Sequence, residues 1–214
     1  MGMKHRSFAI FLSVLIGAAP VNARTAMALE KARYEVVERE GSYEIRQYED
    51  HIVAETFVDG GFDEAGNEGF NLLFRYIQGN NRKSESISMT APVSQRLGPE
   101  KIAMTAPVGQ QRDRNAWRIT FLMPSSYTME TLPEPLDGRV HLRREAGRLV
   151  ASVRYSGNWS EERFEKKRAE LLAFIERRGL RPDGETVFAR YNPPFMPPFL
   201  RRNEVHIPVA GETD

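Results

Sequence analysis

The chain has 214 residues, no cysteine, and 30 lysines and arginines against 29 aspartates and glutamates, a formal net charge of +1. Without cysteine there is no disulfide, no thiolate ligand, no thiol nucleophile and no C-x-x-C-H site for covalent cofactor attachment. A near-neutral balance does not match a nucleic-acid-binding protein, and the length allows one sizeable core without covalent staples.

Lys4, His5 and Arg6 form a short basic start, followed by an uncharged apolar run over residues 8–19 and then Pro20. This is the pattern of a secretory signal peptide, and the run is too short for a stable membrane-spanning helix. Two small-residue cleavage sites compete, Val21-Asn22-Ala23 and Ala26-Met27-Ala28. The second is preferred because Leu29-Glu30 then opens the mature chain; an uncleaved anchor is the alternative. Residues 1–28 are read as signal peptide and 29–214 as a single domain. Removal of Lys4, Arg6 and Arg24 leaves 27 basic residues against 29 acidic, a balance of −2. The expected location is periplasmic or secreted, with no membrane span after cleavage.

Period-2 patterning predicts strands over residues 43–48 and 51–58. A helix follows over about 63–78, with Ala65, Leu73, Tyr76 and Ile77 on its apolar side. Gly66 and Gly69 each cost that helix about 1 kcal/mol relative to alanine. Close approach of a sheet or a ligand would explain them; loose packing is the alternative.

Next comes a near-repeat. Ile87-Ser88-Met89-Thr90-Ala91-Pro92-Val93 recurs as Ile102-Ala103-Met104-Thr105-Ala106-Pro107-Val108, with Gly98-Pro99 between. β-formers, a turn and the same β-formers predict two adjacent antiparallel strands, with Pro92 and Pro107 at their ends. Met89 and Met104 are then either core filler or thioethers lining a pocket for a flat apolar ligand.

A further strand is predicted over 117–123. After the turn-rich linker 133–138 come strands over 140–144 and 149–155, and a helix capped by Ser160 that ends at Arg177-Arg178-Gly179. Phe164, Leu171, Leu172 and Ile175 form its buried stripe. Strands over 186–189 and 204–209 complete the pattern. Val53-Ala54, Gly60, Phe62 and Glu64 match Val150-Ala151, Gly157, Trp159 and Glu161 at a constant offset of 97. Two similar halves, about 34–123 and 139–209, are therefore expected. Between the last two strands, residues 191–200 are proline-rich and aromatic, a stiff loop serving as core lid or pocket wall.

Four stretches in this order resemble the SOUL/heme-binding protein family: Ser42-Tyr43-Glu44-Ile45-Arg46; Asn67-Glu68-Gly69-Phe70 to Arg75-Tyr76-Ile77; the Met-Thr-Ala-Pro-Val element after Gly79-Asn80-Asn81; and Arg190-Tyr191-Asn192-Pro193-Pro194 with Arg201-Arg202-Asn203-Glu204-Val205. The resemblance covers roughly residues 34–209. It implies an α+β fold, a distorted antiparallel β-barrel flanked by two α-helices with pseudo-two-fold symmetry, similar to the effector-binding domain of multidrug-sensing regulators. It also implies haem, or another apolar planar tetrapyrrole, as a non-covalent cofactor and partner. The position of the family's proposed axial histidine is Gln47 here, which argues against axial ligation at that place.

The mature histidines, His51, His141 and His206, stand singly, and no metal-ligand spacing is present. The residues expected at a haem cleft are Met89, Met104, Tyr76, His51, Tyr191, Phe195 and Glu204, with Arg75, Arg82 or Lys83 meeting the propionates. No catalytic residue is assigned, and carriage or sequestration is favoured over turnover. Two alternatives stay open. One is a hydrolase or effector-binding protein using Tyr191 and Glu204 in a central pocket, favoured by a raised Glu204 pKa. The other is an envelope interaction protein without ligand. Arg202 and Glu204 as a structural ion pair is the plain reading of that motif.

Mass spectrometry of the exported protein is expected to find an N-terminus at Leu29, with Arg24 as second choice; an intact Met1 would reject cleavage.

Overall fold

A computed structural model describes residues 29–84, 86–97, 116–192 and 195–211. Its elements in chain order are β1 (Tyr34–Glu40), β2 (Tyr43–Tyr48), β3 (His51–Val58), α1 (Phe62–Ile77), β4 (Val93–Leu97), β5 (Trp117–Leu122), β6 (His141–Glu145), β7 (Leu149–Tyr155), α2 (Glu161–Arg177), β8 (Leu180–Pro182), β9 (Val187–Arg190), a 3-10 turn (Pro198–Leu200) and β10 (Asn203–Gly211). Among the described residues, no helix is long and apolar enough to cross a membrane.

The strands form one curled antiparallel sheet, a half-barrel with order β1-β2-β7-β10-β9-β4-β5-β3-β6, and β8 pairs with β10. Alternation sends one set of side chains to the helices and the other to the concave face. Ala54, Ile119 and Phe121 pack with Leu72, Leu73, Tyr76 and Ile77 of α1. Ala151, Val153, Val205 and Ile207 pack with Phe164, Leu171, Phe174 and Ile175 of α2. The intervening residues, His51, Val53, Thr120, Leu122, Val150 and His206 among them, line the inside of the curl.

Both helices fall where the sequence places them. Ser160 caps α2, its side chain accepting from the Arg163 amide at 3.3 Å. Within the β2-to-β6 stretch, the strand order is unchanged when the four strands of one half are exchanged for those of the other. The matched Gly60 and Gly157 share a left-handed φ, 115° and 121°. Superposition of the two halves stays a proposal, which these two observations support.

One expectation changes, and two strands are new. The first Met-Thr-Ala-Pro-Val copy is not a strand: the ladder begins at Val93, and Ala91 makes only an isolated parallel bridge to Lys31. Pro92 has no N–H to give a ladder, and residues 87–91 bond elsewhere, the Ile87 amide to the Ile77 carbonyl at 2.7 Å and the Thr90 hydroxyl to the Leu122 carbonyl. The second copy, with Met104, lies outside the described residues. The largely exposed edge strand β1 and the short β8 also escaped the period-2 pattern, which needs a buried face to show.

The α1 glycines have a packing cause. A Cβ at Gly69 would stand 2.6 Å from Cγ1 of Ile119, and one at Gly66 2.8 Å from Oε1 of Gln95. The sheet, rather than a ligand, makes the close approach. Gly69→Ala is expected to lower stability in denaturant unfolding, because overpacking costs about 1–3 kcal/mol against about 1 kcal/mol of helix propensity. Combining it with Ile119→Ala should give a less-than-additive loss; additivity would show that Ile119 is not the obstacle.

Candidate functional site

A cleft of about 90 Å³ opens on the concave face. Its apolar wall includes Val53, Leu122, Val150, Val187 and Pro92; Tyr34, Tyr48, His51, Tyr191 and His206 add polar edges, and Lys31, Glu145 and Arg148 bring charge. A second hollow of about 280 Å³ adjoins it and shares Lys31, Ala32, His51 and Leu122. The segment at 29–33 runs between them. It is tied down by the Ala91 amide donating to the Glu30 carbonyl at 2.9 Å and the Ser125 amide donating to Glu30 Oε1 at 3.0 Å.

Behind the cleft wall, β10 holds Glu204 with no exposed surface. The carboxylate accepts from Arg46 at 2.7 and 3.2 Å, from Arg202 at 2.6 and 2.9 Å, and from the Tyr191 hydroxyl at 3.0 Å. His206 Nε2 lies 2.7 Å away. Burial by itself would raise this carboxyl's pKa. Hydrogen bonds from His206 and Arg46, with the Arg46 charge, hold it well below the usual carboxylate range. Burial lowers the His206 pKa against the pull of Glu204, so at neutral pH a neutral imidazole donates Nε2–H to a charged carboxylate. Burial pushes Tyr191 well above the ordinary phenol value and Tyr48 up to about 12. An ionised acid held by two guanidiniums, beside phenols that keep their protons, is not poised for acid–base exchange at neutral pH. The raised Glu204 pKa that would favour a hydrolase is not what the geometry produces; the Arg202–Glu204 pair is present and Arg46 reinforces it.

His51 stands where the two hollows meet. Its Nδ1 lies 2.9 Å from the Glu49 carbonyl and its Nε2 3.4 Å from Glu145 Oε2. Burial would lower its pKa, but the Glu145 carboxylate and the Glu49 carbonyl outweigh that and raise it. Glu145 belongs to a second ion cluster with Arg118, Arg143 and the buried Glu55.

Of the residues expected at a haem site, His51 and Tyr191 line the cleft and Glu204 lies behind it. Met104 lies outside the described residues, and the remaining ones are elsewhere. Tyr76 is buried under α1 with its hydroxyl donating to the Pro133 carbonyl at 2.8 Å, and Met89 packs against the same cluster. Arg75 is exposed on α1; Arg82 pairs with Glu134 at 2.7 Å, and Lys83 donates to the Thr131 carbonyl. Phe195 is 85% exposed, so residues 195–200 form neither core lid nor cleft wall but project outward. Gln47 is exposed, on the opposite side of β2 from Tyr48. Sequence reasoning missed Arg46, Tyr48 and His206. Alternation in Tyr43-Glu44-Ile45-Arg46-Gln47-Tyr48 could have shown that Arg46 and Tyr48 share the face opposite Ile45.

Glu204→Gln is expected to destabilise the fold by about 3–5 kcal/mol at pH 7, since it leaves buried guanidiniums short of their counter-charge. A depressed folded-state pKa gives a contribution present above the ordinary carboxylate value of 4.5 and lost as pH falls below it. The gap between wild type and variant in urea unfolding should therefore narrow from pH 7 to pH 3. A gap that widens on acidification would show that the carboxylate is not the stabilising form.

A model of the SOUL heme-binding protein family matches residues 29–208. Heme-binding protein 1 of Xenopus laevis is 30% identical over 170 residues, 78% of this chain and 84% of its own. Heme-binding protein 2 of Homo sapiens is 29% identical over 174 residues, 80% of each chain. Among solved structures, the C-terminal domain of EcmrR superposes with a TM-score of 0.59 at 9% identity, covering 84% of this chain and 99% of that one. A hydrolase from Listeria innocua gives 0.52 at 15% identity, covering 81% and 94%. At such identities the two structures speak for the shared fold. The sequence matches decide the family: this chain belongs to the SOUL heme-binding proteins.

Proposed function

We propose that the protein, after export, binds haem or a related tetrapyrrole without a covalent bond and carries or sequesters it. The observation that carries this reading is the concave cleft of a chain whose relatives are heme-binding proteins: apolar β-strand residues flanked by tyrosines, with Lys31 and Arg148 beside them.

The cleft's residues fit part of what haem offers. Val53, Leu122, Val150, Val187 and Pro92 would meet the macrocycle by apolar burial, and Lys31 and Arg148 would meet its carboxylates. Bound haem would supply an iron centre and two propionates. Both nitrogens of His51 face acceptors, whereas His206 donates Nε2–H to Glu204, the arrangement that leaves Nδ1 as its nitrogen for a metal. At about 90 Å³ the cleft is smaller than the roughly 300–1,000 Å³ of small-molecule pockets. It would take an edge of the macrocycle unless the 29–33 segment moved aside and joined it to the neighbouring hollow.

Haemin titration of the mature protein, followed in the Soret region, tests this. A saturable band is expected. His51→Ala should weaken binding by less than about tenfold, ~1.4 kcal/mol, whereas Val187→Asp should cost more by setting a carboxylate against the macrocycle. Absence of a band would overturn the proposal. Loss of binding in His51→Ala with normal binding in Val187→Asp would make His51 the anchor instead.

A further inference from the structure

We propose that the loop at 195–200 is a membrane-docking element that enters the interfacial layer of a phospholipid bilayer. Phe195 and Phe199, at 85% and 75% exposure, are the most exposed large apolar side chains among the described residues, and Leu200 beside them is 59% exposed. A contiguous apolar tip of this kind marks an interaction surface.

Part of the tip's backbone already has its hydrogen-bond partners. A peptide group entering hydrocarbon must already have its partner. Pro197 and Pro198 have no N–H to lose. The Leu200 amide donates to the Pro197 carbonyl at 2.9 Å and the Arg201 amide to the Pro198 carbonyl at 3.1 Å. The Pro198 carbonyl also accepts from the Gly157 amide at 2.9 Å, and the Met196 carbonyl accepts from Arg201 Nε at 2.7 Å. At the base, the Tyr191 amide donates to the Arg202 carbonyl and the Arg202 amide to Asn192 Oδ1. The loop is therefore preformed, and insertion would order little further.

The base also has an interfacial character. The Arg201 guanidinium lies 4.6 Å over the Trp159 ring. Aromatic rings and guanidiniums with apolar stems favour headgroup depth. Arg163, which donates to the Ser156 carbonyl at 3.3 Å, stands beside the turn that holds Pro198. Arg163 and Arg201 bring two cations to the base of the tip, where they complement anionic headgroups. The loop joins Tyr191 to Arg202, both of which hold Glu204 behind the cleft. A docked loop would therefore bring the cleft close to the bilayer, where apolar ligands partition.

The test is vesicle flotation, without haem, of the chain beginning at Leu29, which contains every described strand and helix. The vesicles are phosphatidylcholine with and without phosphatidylglycerol. Wild type should float, more so with phosphatidylglycerol. The triple variant Phe195→Ser, Phe199→Ser, Leu200→Ser should lose about tenfold or more of its partitioning. All three side chains are exposed, so its thermal midpoint should match wild type, which separates loss of docking from loss of fold. If wild type remains unbound with both lipids, the apolar tip belongs to a protein contact and the proposal is overturned. It is equally overturned if the triple variant floats as well as wild type.

Discussion

A carboxylate with no exposed surface, Glu204, sets the terms for the concave face. An unpaired charge there would cost several kcal/mol. The fold answers with Arg46 from β2, Arg202 just before β10, His206 on β10, and Tyr191 after β9. These groups meet only if β2, β7, β10 and β9 keep their registers, with Glu204 opposite Arg154 on one side and Ala189 on the other. A one-residue slip of β10 would turn Glu204 into the α2 core and Val205 into the cleft. Removing one partner is costly, while the intact network adds little net stability.

The same network decides what the cleft can recognise. Two guanidiniums, those of Arg46 and Arg202, already occupy Glu204. Across the curl, Glu55 and Glu145 are likewise met by Arg118 and Arg143. Acids compensated at both sides leave the apolar strand residues between them as the main attraction. Such a surface favours a ligand held by area rather than by charge, in keeping with a macrocycle whose few charges lie at its edge.

Much of this was legible in the chain. The absence of cysteine excluded thiolate and covalent attachment outright. Period-2 runs such as 51–58 and 149–155 placed the strands, because one face of each is apolar against a helix. Ser160, followed by two glutamates and ended by Arg178-Gly179, fixed α2 by capping chemistry that acts within a single turn. Four motifs in order carried the family. These signals are local, or they repeat at a period that one strand or helix imposes.

What the tertiary structure decided depends on pairs far apart in sequence. Arg46 and Glu204 are 158 residues apart, and no pattern in either strand announces their contact. Tyr76 reads as a cleft residue from the apolar side of the first helix, but α1 aims it into the core, toward the Pro133 carbonyl. Met89 follows it there, because residues 87–91 bond to α1 and β5 instead of forming a ladder. The loop at 195–200 has the composition of a core segment, yet its own hydrogen bonds hold it out from the sheet. Composition told which side chains avoid water; the strand order and the bonds at each loop's base decided which of them could.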